Sequence, residues 1–183
     1  MRTLISREQI AGRLPELARE IEADFAAGPG DSAAPEGSLV VVGVLTGAVI
    51  FLADLVRELR RPTELAFVTA SSYGGGTTAG NLSLDLRGLP PIAGRDVLLV
   101  DDIFDTGQTL GRLIERLAEQ SPARLLSTVL LRKAIADAPP CPARVGFEIP
   151  PEFVVGYGLD YGGLYRDLPD IAVLEPHEID AAR

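Results

Sequence analysis

A short apolar run that ends in a cluster of acids and a threonine-glycine turn constrains the fold of this chain most strongly. Residues 97–100 (VLLV) are typical of a buried strand, and the amphipathic residues 109–117 predict the helix that follows it. The acids and hydroxyls of the sequence DDIFDTGQT lie between the two. A strand, a turn and a helix in this order indicate an open α/β sheet, and such sheets bind ligands at the carboxyl ends of their strands.

The polar residues of this turn suit a phosphorylated sugar. Free backbone N–H groups at a helix start, with the hydroxyls of Thr106 and Thr109 beside them, can bind a phosphate. Carboxylates next to a phosphate can bind sugar hydroxyls or Mg²⁺, or move a proton. An aspartate near a helix start is often only an N-cap, but three acids and two threonines around one turn exceed what capping requires.

Two other classes of phosphate-handling protein fit this segment less well. The Gly-Lys-Ser/Thr signature of a P-loop is missing from it. A response-regulator receiver places its acid pair after the first strand, whereas about three predicted strands precede Asp101.

The rest of the chain alternates between strand and helix patterns. A capping box at residues 6–9 opens an amphipathic helix over residues 7–26, which Pro15 is expected to bend or interrupt. The remaining predicted elements are strands at 39–44, 65–69, 82–86, 125–131, 153–155 and 171–174, and helices at 50–60 and 109–118. This alternation predicts a single α/β domain over residues 1–183, with a mostly parallel twisted sheet and helices on both faces. Residues 71–80 have almost no core-forming side chains and predict a flexible loop.

Composition excludes several function classes. The net charge of −9, from 17 Lys and Arg against 26 Asp and Glu, argues against a non-specific nucleic-acid or membrane-surface partner. One cysteine, Cys141, rules out an intramolecular disulfide framework, and one histidine, His177, rules out a His-based zinc site. Because no apolar run approaches the roughly 20 residues that span a bilayer, we expect a cytoplasmic protein.

The motifs together resemble those of the type I phosphoribosyltransferases. Residues 101–109 are similar to that family's motif for phosphoribosyl pyrophosphate (PRPP), and residues 71–74 (SSYG) resemble its active-site loop. Residues 145–169 resemble the purine-site block of the hypoxanthine-guanine branch. The likeness runs from about Ile5 to Leu174. It implies the type I phosphoribosyltransferase fold, with a hood subdomain formed by the N- and C-terminal segments and a flexible catalytic loop over about residues 71–81.

The resemblance implies a role for each matching residue. Asp105 would be the general base or acid near purine N7. Contacts to PRPP would come from Asp101, Asp102, Thr106, Gly107, Gln108, Thr109, Thr46, Gly47 and Arg166. Contacts to the purine would come from Lys133, Phe153, Val154 and Asp160. Mg²⁺ would be held by Asp160, Asp101 and Asp102, and the lid would carry Ser72 and Tyr73.

Three of these positions carry specific expectations. Thr46 stands where many family members have lysine, so pyrophosphate binding is expected to depend more on backbone N–H groups, Arg166 and Mg²⁺. Asp101 stands where glutamate is common, which shortens the ribose contact by one methylene. Gly107 is expected to let the phosphate approach the backbone, since a Cβ there could block the anion.

The implied reaction is Mg²⁺-dependent transfer of 5-phosphoribosyl from PRPP to N9 of hypoxanthine or guanine, a step of purine salvage, in a homo-oligomer (dimer or tetramer). Two alternatives stay open. A PRPP-binding regulator of RNA would need a basic patch, which the acidic composition disfavours. A phosphoribosyltransferase for adenine, xanthine or a pyrimidine is the other, although Lys133 with Phe153 and Val154 favours a 6-oxopurine.

Overall fold

The computed structural model describes residues 1–27, 39–72, 82–135 and 139–175. The helices in these ranges are α1 (Arg7–Ala27), α2 (Val49–Glu58) and α3 (Gln108–Ala118). The strands are β1 (Arg2–Ile5), β2 (Leu39–Leu45), β3 (Thr63–Ser72), β4 (Leu82–Asp85), β5 (Asp96–Phe104), β6 (Arg124–Lys133), β7 (Arg144–Ile149), β8 (Val154–Val155) and β9 (Ile171–Val173). None of these helices combines the length and the apolar character needed to cross a membrane.

The main sheet has six strands in the order β4-β3-β2-β5-β6-β7. Every neighbouring pair is parallel except β3 and β4, which are antiparallel at one edge. The chain proceeds outward from β2 to β3 on one side and from β5 through β6 to β7 on the other. The strand order therefore reverses between β2 and β5, and open α/β sheets bind their ligands at the carboxyl end of such a switch point.

Side chains alternate along the central strands and bury both faces of the sheet. On β5, Leu98 and Val100 pack into a cluster with α1 and α2, whereas Val97 and Leu99 pack into a second cluster with α3. Because both faces of β5 are buried, its sequence contains a continuous apolar run and not an alternation of apolar and polar residues. The expected α/β architecture, a mostly parallel sheet flanked by helices, is confirmed.

A smaller sheet joins the two ends of the described chain. Its three strands are antiparallel and lie in the order β1-β9-β8. The backbone N–H of Arg7 donates to Asp170 at 2.7 Å, so the start of α1 is also tied to the C-terminal segment. The predicted capping box is present, because Ser6 N–H donates to Gln9 Oε1 at 2.8 Å and Gln9 N–H donates to Ser6 Oγ at 3.3 Å.

Three local predictions need correction. Pro15 does not interrupt α1, which is continuous from Arg7 to Ala27 because Leu14 and Leu17 on either side of the proline are buried in the core. Strands β1 and β7 were not predicted; their residues are partly exposed and lack the long apolar run that marks the central strands. Two strands extend further than predicted: β3 ends at Ser72, inside the predicted loop of residues 71–80, and β5 ends at Phe104 rather than at residue 100.

Candidate active site

A cavity of about 370 Å³ opens at the switch point between β2 and β5. Its walls come from the end of β2 and the loop after it, from the end of β5 and the start of α3, and from the C-terminal segment. The lining residues are Val44, Leu45, Thr46, Gly47, Ala70, Asp101, Asp102, Ile103, Phe104, Asp105, Thr106, Gly107, Gln108, Thr109, Leu110, Asp160 and Arg166. All nine predicted PRPP contacts are therefore brought together, along with Asp105 and Asp160.

The acid pair of this cavity belongs to the end of β5 itself. Asp101 is 6% exposed and pairs in register with Val129 of β6. Desolvation and the neighbouring charge of Asp102 raise the pKa of Asp101 to about 8. Burial also raises the pKa of Asp102, although the backbone N–H of Ile103, which donates to Asp102 Oδ1 at 2.7 Å, opposes that rise. Burial and the closeness of the two carboxylates therefore favour a proton shared by the pair.

Backbone geometry explains the glycine at the start of α3. Gly107 is the N-cap residue, with φ +77°, a left-handed conformation that favours glycine. A Cβ at this position would lie 2.8 Å from Cζ of Phe104, so the glycine is required by its own backbone and by packing on that ring. The expectation that a Cβ here could also block the anion stays a prediction. Because Gly107 provides no side-chain cap, the first N–H groups of α3 can serve a ligand.

Two oppositely charged residues with predicted purine-side roles form an ion pair. Lys133, at the end of β6, donates from Nζ to Asp105 Oδ2 at 3.0 Å. The lysine side chain is 17% exposed and the aspartate 45% exposed, so the pair sits at the border of the cavity with one side open. The ammonium and the carboxylate therefore offset one another's charge.

Arg166 is held in the cavity by two neighbours from the same segment. Its Nη1 donates to the carbonyl oxygen of Gly158 at 2.6 Å, and its Nη2 lies 2.7 Å from Asp160 Oδ1. Gly158 in turn packs on the loop after β2, since a Cβ on Gly158 would collide with the carbonyl oxygen of Gly47. The Leu45–Thr46 peptide at the start of that loop is cis.

The predicted purine contacts lie partly outside this cavity. Phe153 is 44% exposed, and its ring meets that of Tyr161 edge to face, with centroids 5.5 Å apart. Val154 is buried in β8 of the small sheet. Tyr161 was not among the predicted site residues; its position one residue after Asp160 was the available signal. The predicted lid residue Tyr73 and the side chain of Ser72 lie outside the described residues.

The predicted metal ligands share the cavity without forming a cage. Asp101, Asp102 and Asp160 all line it. Across the described part of the chain, however, no group of three or more His, Cys, Asp or Glu side chains is placed so as to hold a metal ion by itself. The described side chains alone would therefore leave part of the coordination of a metal in this cavity to other ligands.

Comparison with known proteins agrees with this geometry. Residues 13–162 match the model of the phosphoribosyl transferase domain. The chain belongs to the phosphoribosyltransferase family. Within that family it groups with the hypoxanthine and hypoxanthine-guanine phosphoribosyltransferases, as its motifs predicted.

The similar proteins span nearly the whole chain. The chain is 44% identical to the hypoxanthine-guanine phosphoribosyltransferase of Mycobacterium avium, over 94% of its own length and 85% of that protein. It is 42% identical to the hypoxanthine phosphoribosyltransferase of Salmonella typhimurium, over 91% and 90% of the two chains. Among solved structures, a Lys-to-Arg variant of the Trypanosoma cruzi hypoxanthine phosphoribosyltransferase in complex with IMP superposes with a TM-score of 0.87 at 36% identity, covering 100% of this chain and 94% of that one.

Proposed function

We propose that this protein is a hypoxanthine-guanine phosphoribosyltransferase of purine salvage. It transfers 5-phosphoribosyl from PRPP to N9 of hypoxanthine or guanine, and it releases pyrophosphate together with IMP or GMP. One observation carries the proposal: the acid pair at the end of β5, the uncapped start of α3 and Arg166 open into a single cavity. The relatives named for this reaction support it.

The cavity offers a separate place for each part of PRPP. The first turn of α3, with Thr106 and Thr109, binds the 5′-phosphate through N–H and hydroxyl donors. Asp101 and Asp102 accept from the ribose 2′- and 3′-hydroxyls. The loop at Thr46 and Gly47 and the guanidinium of Arg166 face the pyrophosphate, for which a planar fork of donors is well suited.

The ion pair at the border of the cavity provides the purine chemistry. When the purine binds, its 6-oxo group replaces Asp105 as the acceptor of the Lys133 ammonium. The Asp105 carboxylate is then free to accept or return the N7 proton. Phe153 stacks on the base, the backbone of Val154 contacts it, and Asp160 reads the 2-position. The small sheet β1-β9-β8, which carries Val154, is the hood over the purine within a single domain of residues 1–183.

The carboxylates of the cavity fit Mg²⁺. Magnesium prefers oxygen ligands and is usually bound through one or two carboxylates plus substrate phosphates and water, which matches a site without a complete protein cage. Asp101, Asp102 and Asp160 are the residues that would hold it. When bound, the metal neutralises the charge of the leaving pyrophosphate.

Three further features belong to this proposal. Ser72 and Tyr73 form part of a lid that excludes water from an oxocarbenium-like transition state. The protein works in the cytoplasm as a homo-oligomer, a dimer or tetramer. Its partners are small molecules, with no nucleic acid or membrane among them.

The test is a PRPP-dependent assay with hypoxanthine, guanine, xanthine and adenine in parallel, with and without Mg²⁺, and chromatographic detection of nucleotide. We expect IMP and GMP to form, and to depend on Mg²⁺. Product from xanthine or adenine alone would indicate a different phosphoribosyltransferase. Binding of PRPP without turnover of any base would favour a regulatory protein.

A further inference from the structure

We infer that Tyr157 and Asp54 form a positioning pair that holds the pyrophosphate loop (Leu45, Thr46 and Gly47) against the segment that carries Arg166. The inference rests on the proposed function, because it concerns the geometry of the same site. Neither residue is among the described residues that line the cavity. They act through other residues.

The pair joins two distant parts of the chain through one hydrogen bond. Tyr157 Oη donates to Asp54 Oδ2 at 2.7 Å, across 103 positions of sequence. Tyr157 is 7% exposed, whereas Asp54 lies on α2 with a side chain that is 36% exposed. A buried hydroxyl that donates to a carboxylate makes a charge-assisted bond, which is stronger than a neutral one.

The backbone at Tyr157 supports the segment that carries Arg166. Its N–H donates to the carbonyl oxygen of Leu168 at 2.8 Å, and the next N–H, that of Gly158, donates to the carbonyl oxygen of Arg166 at 3.0 Å. The Gly158 carbonyl then accepts from the Arg166 guanidinium at 2.6 Å. Tyr157 has φ +50°, a conformation that is uncommon for residues other than glycine, so its surroundings must hold it there.

The same residues contact the pyrophosphate loop directly. A Cβ on Gly158 would collide with the Gly47 carbonyl oxygen, and a Cβ on Gly47 would collide with the Asp102 carboxylate. Helix α2 begins at Val49, two residues after Gly47, and it carries Asp54. The Tyr157–Asp54 bond therefore closes a ring that runs from the loop through α2 to Tyr157 and back through Gly158 to the loop.

A positioning role and a purely structural role predict different effects on substrate binding. Opening the ring alters the distance between the loop and Arg166, which are the proposed contacts to pyrophosphate, and leaves Asp105, Lys133 and Phe153 in place. Binding of PRPP and pyrophosphate should therefore weaken, while binding of hypoxanthine, which has no substituent at the 2-position that Asp160 would read, should not. A role in stability alone would lower the unfolding temperature without separating the two substrates.

The experiment uses Tyr157→Phe, Asp54→Ala and Asp54→Asn in the full-length protein. For Tyr157→Phe and Asp54→Ala, we expect the Kd for Mg²⁺-PRPP by calorimetry, and the KM for PRPP and for pyrophosphate in the reverse direction, to rise about tenfold. The KM for hypoxanthine should change by less than about twofold. Asp54→Asn keeps a carbonyl acceptor and should restore most of the binding. Both Asp54 variants lose the 3.4 Å contact to Arg57, so the difference between them reports on the acceptor alone.

The matched control is Thr128→Val, which removes another buried hydroxyl bond, from Thr128 Oγ1 to the Arg144 carbonyl at 3.0 Å, away from the cavity. It should lower stability and leave both KM values unchanged. An unchanged Kd for PRPP in Tyr157→Phe, or an equal rise in the KM for PRPP and the KM for hypoxanthine, would contradict the positioning role of the Tyr157–Asp54 pair. A wild-type protein that binds PRPP but transfers it to no base would instead contradict the proposed function, while the calorimetric comparison would still decide the pair.

Discussion

Replacing Asp101 with asparagine should remove a pH dependence of stability that the wild-type protein has near neutrality. Burial beside Asp102 raises the Asp101 pKa from an ordinary value of 3.8 to about 8. Between these values the folded protein keeps a proton that the unfolded chain has released, so the free energy of unfolding falls as pH rises. One such proton corresponds to a loss of about 1.4 kcal/mol per pH unit.

The acid pair should dominate this window. Those described carboxyl groups whose pKa is clearly lowered, such as Asp24 and Asp85, are ionised in both states above about pH 5 and contribute no slope there. The proton belongs to Asp101 and Asp102 together, as in other coupled pairs. In Asp101→Asn the amide can still donate to Asp102, and such a bond favours the charged form of Asp102 and opposes the rise in its pKa that burial causes, so the folded variant should bind less proton than wild type in this range.

The measurement is urea unfolding, followed by circular dichroism, in metal-free buffer from about pH 5.5 to about pH 7.5. We expect wild type to lose about 2–3 kcal/mol across this range and Asp101→Asn to lose less than half of that. The control is Asp24→Asn, which breaks an ion pair with Arg144 at 2.6 Å and should lower stability without changing the wild-type slope. A flat wild-type profile, or equal slopes in wild type and Asp101→Asn, would refute the assignment of the proton to this pair.

Three further substitutions test the site. Asp105→Asn should lower kcat at least about 100-fold with less than about a threefold change in the KM for PRPP, and an unaltered kcat would contradict the proton-transfer role. Lys133→Met, which removes the 3.0 Å ion pair, should raise the KM for hypoxanthine about tenfold in steady-state assays and leave the Kd for PRPP unchanged. Gly107→Ala should lower the free energy of unfolding by about 1–3 kcal/mol, because of the left-handed backbone and the Phe104 contact; equal urea midpoints would argue against that strain.

Local sequence patterns were sufficient to predict the elements that surround the site. The amphipathic period of α3 and the apolar run of β5 predicted both elements, because each buries a face whose spacing is visible within a few residues. The end of β5 was harder to place. Asp101 is a strand residue although aspartate is uncommon in strands, because its backbone pairs with β6 and burial favours the neutral form of its side chain. A prediction that treats aspartate as a residue that ends strands therefore ends β5 at residue 100.

Contacts between distant segments could not be predicted from local patterns. Lys133 and Asp105 are 28 residues apart, and Tyr157 and Asp54 are 103 apart. Their pairing depends on how strands, helices and loops that are distant in sequence are arranged in the fold, which no local period encodes. The resemblance to a known family placed Lys133 and Asp105 in one site, but it assigned each to the substrate, whereas the structure pairs them with one another.

Most of the charged side chains in the cavity are paired in a similar way, so the number of its carboxylates overstates its net negative charge. Four carboxylates line the cavity, and Arg166 is the one Lys or Arg among its described lining residues. Yet Lys133 offsets the charge of Asp105, Arg166 offsets that of Asp160, and burial beside Asp102 favours the neutral form of Asp101. The site is therefore less negative than its four carboxylates alone indicate, which favours an anionic substrate such as PRPP at a site where Thr46 stands in place of the family's common lysine. Each proposed substrate contact then replaces a contact within the protein. The purine replaces Asp105 as the partner of Lys133, and pyrophosphate replaces Asp160 as the partner of Arg166. Ribose or a metal ion replaces the proton on the acid pair. Because every exchange releases as well as forms an interaction, net affinity should depend more on how well these groups are positioned than on how many there are.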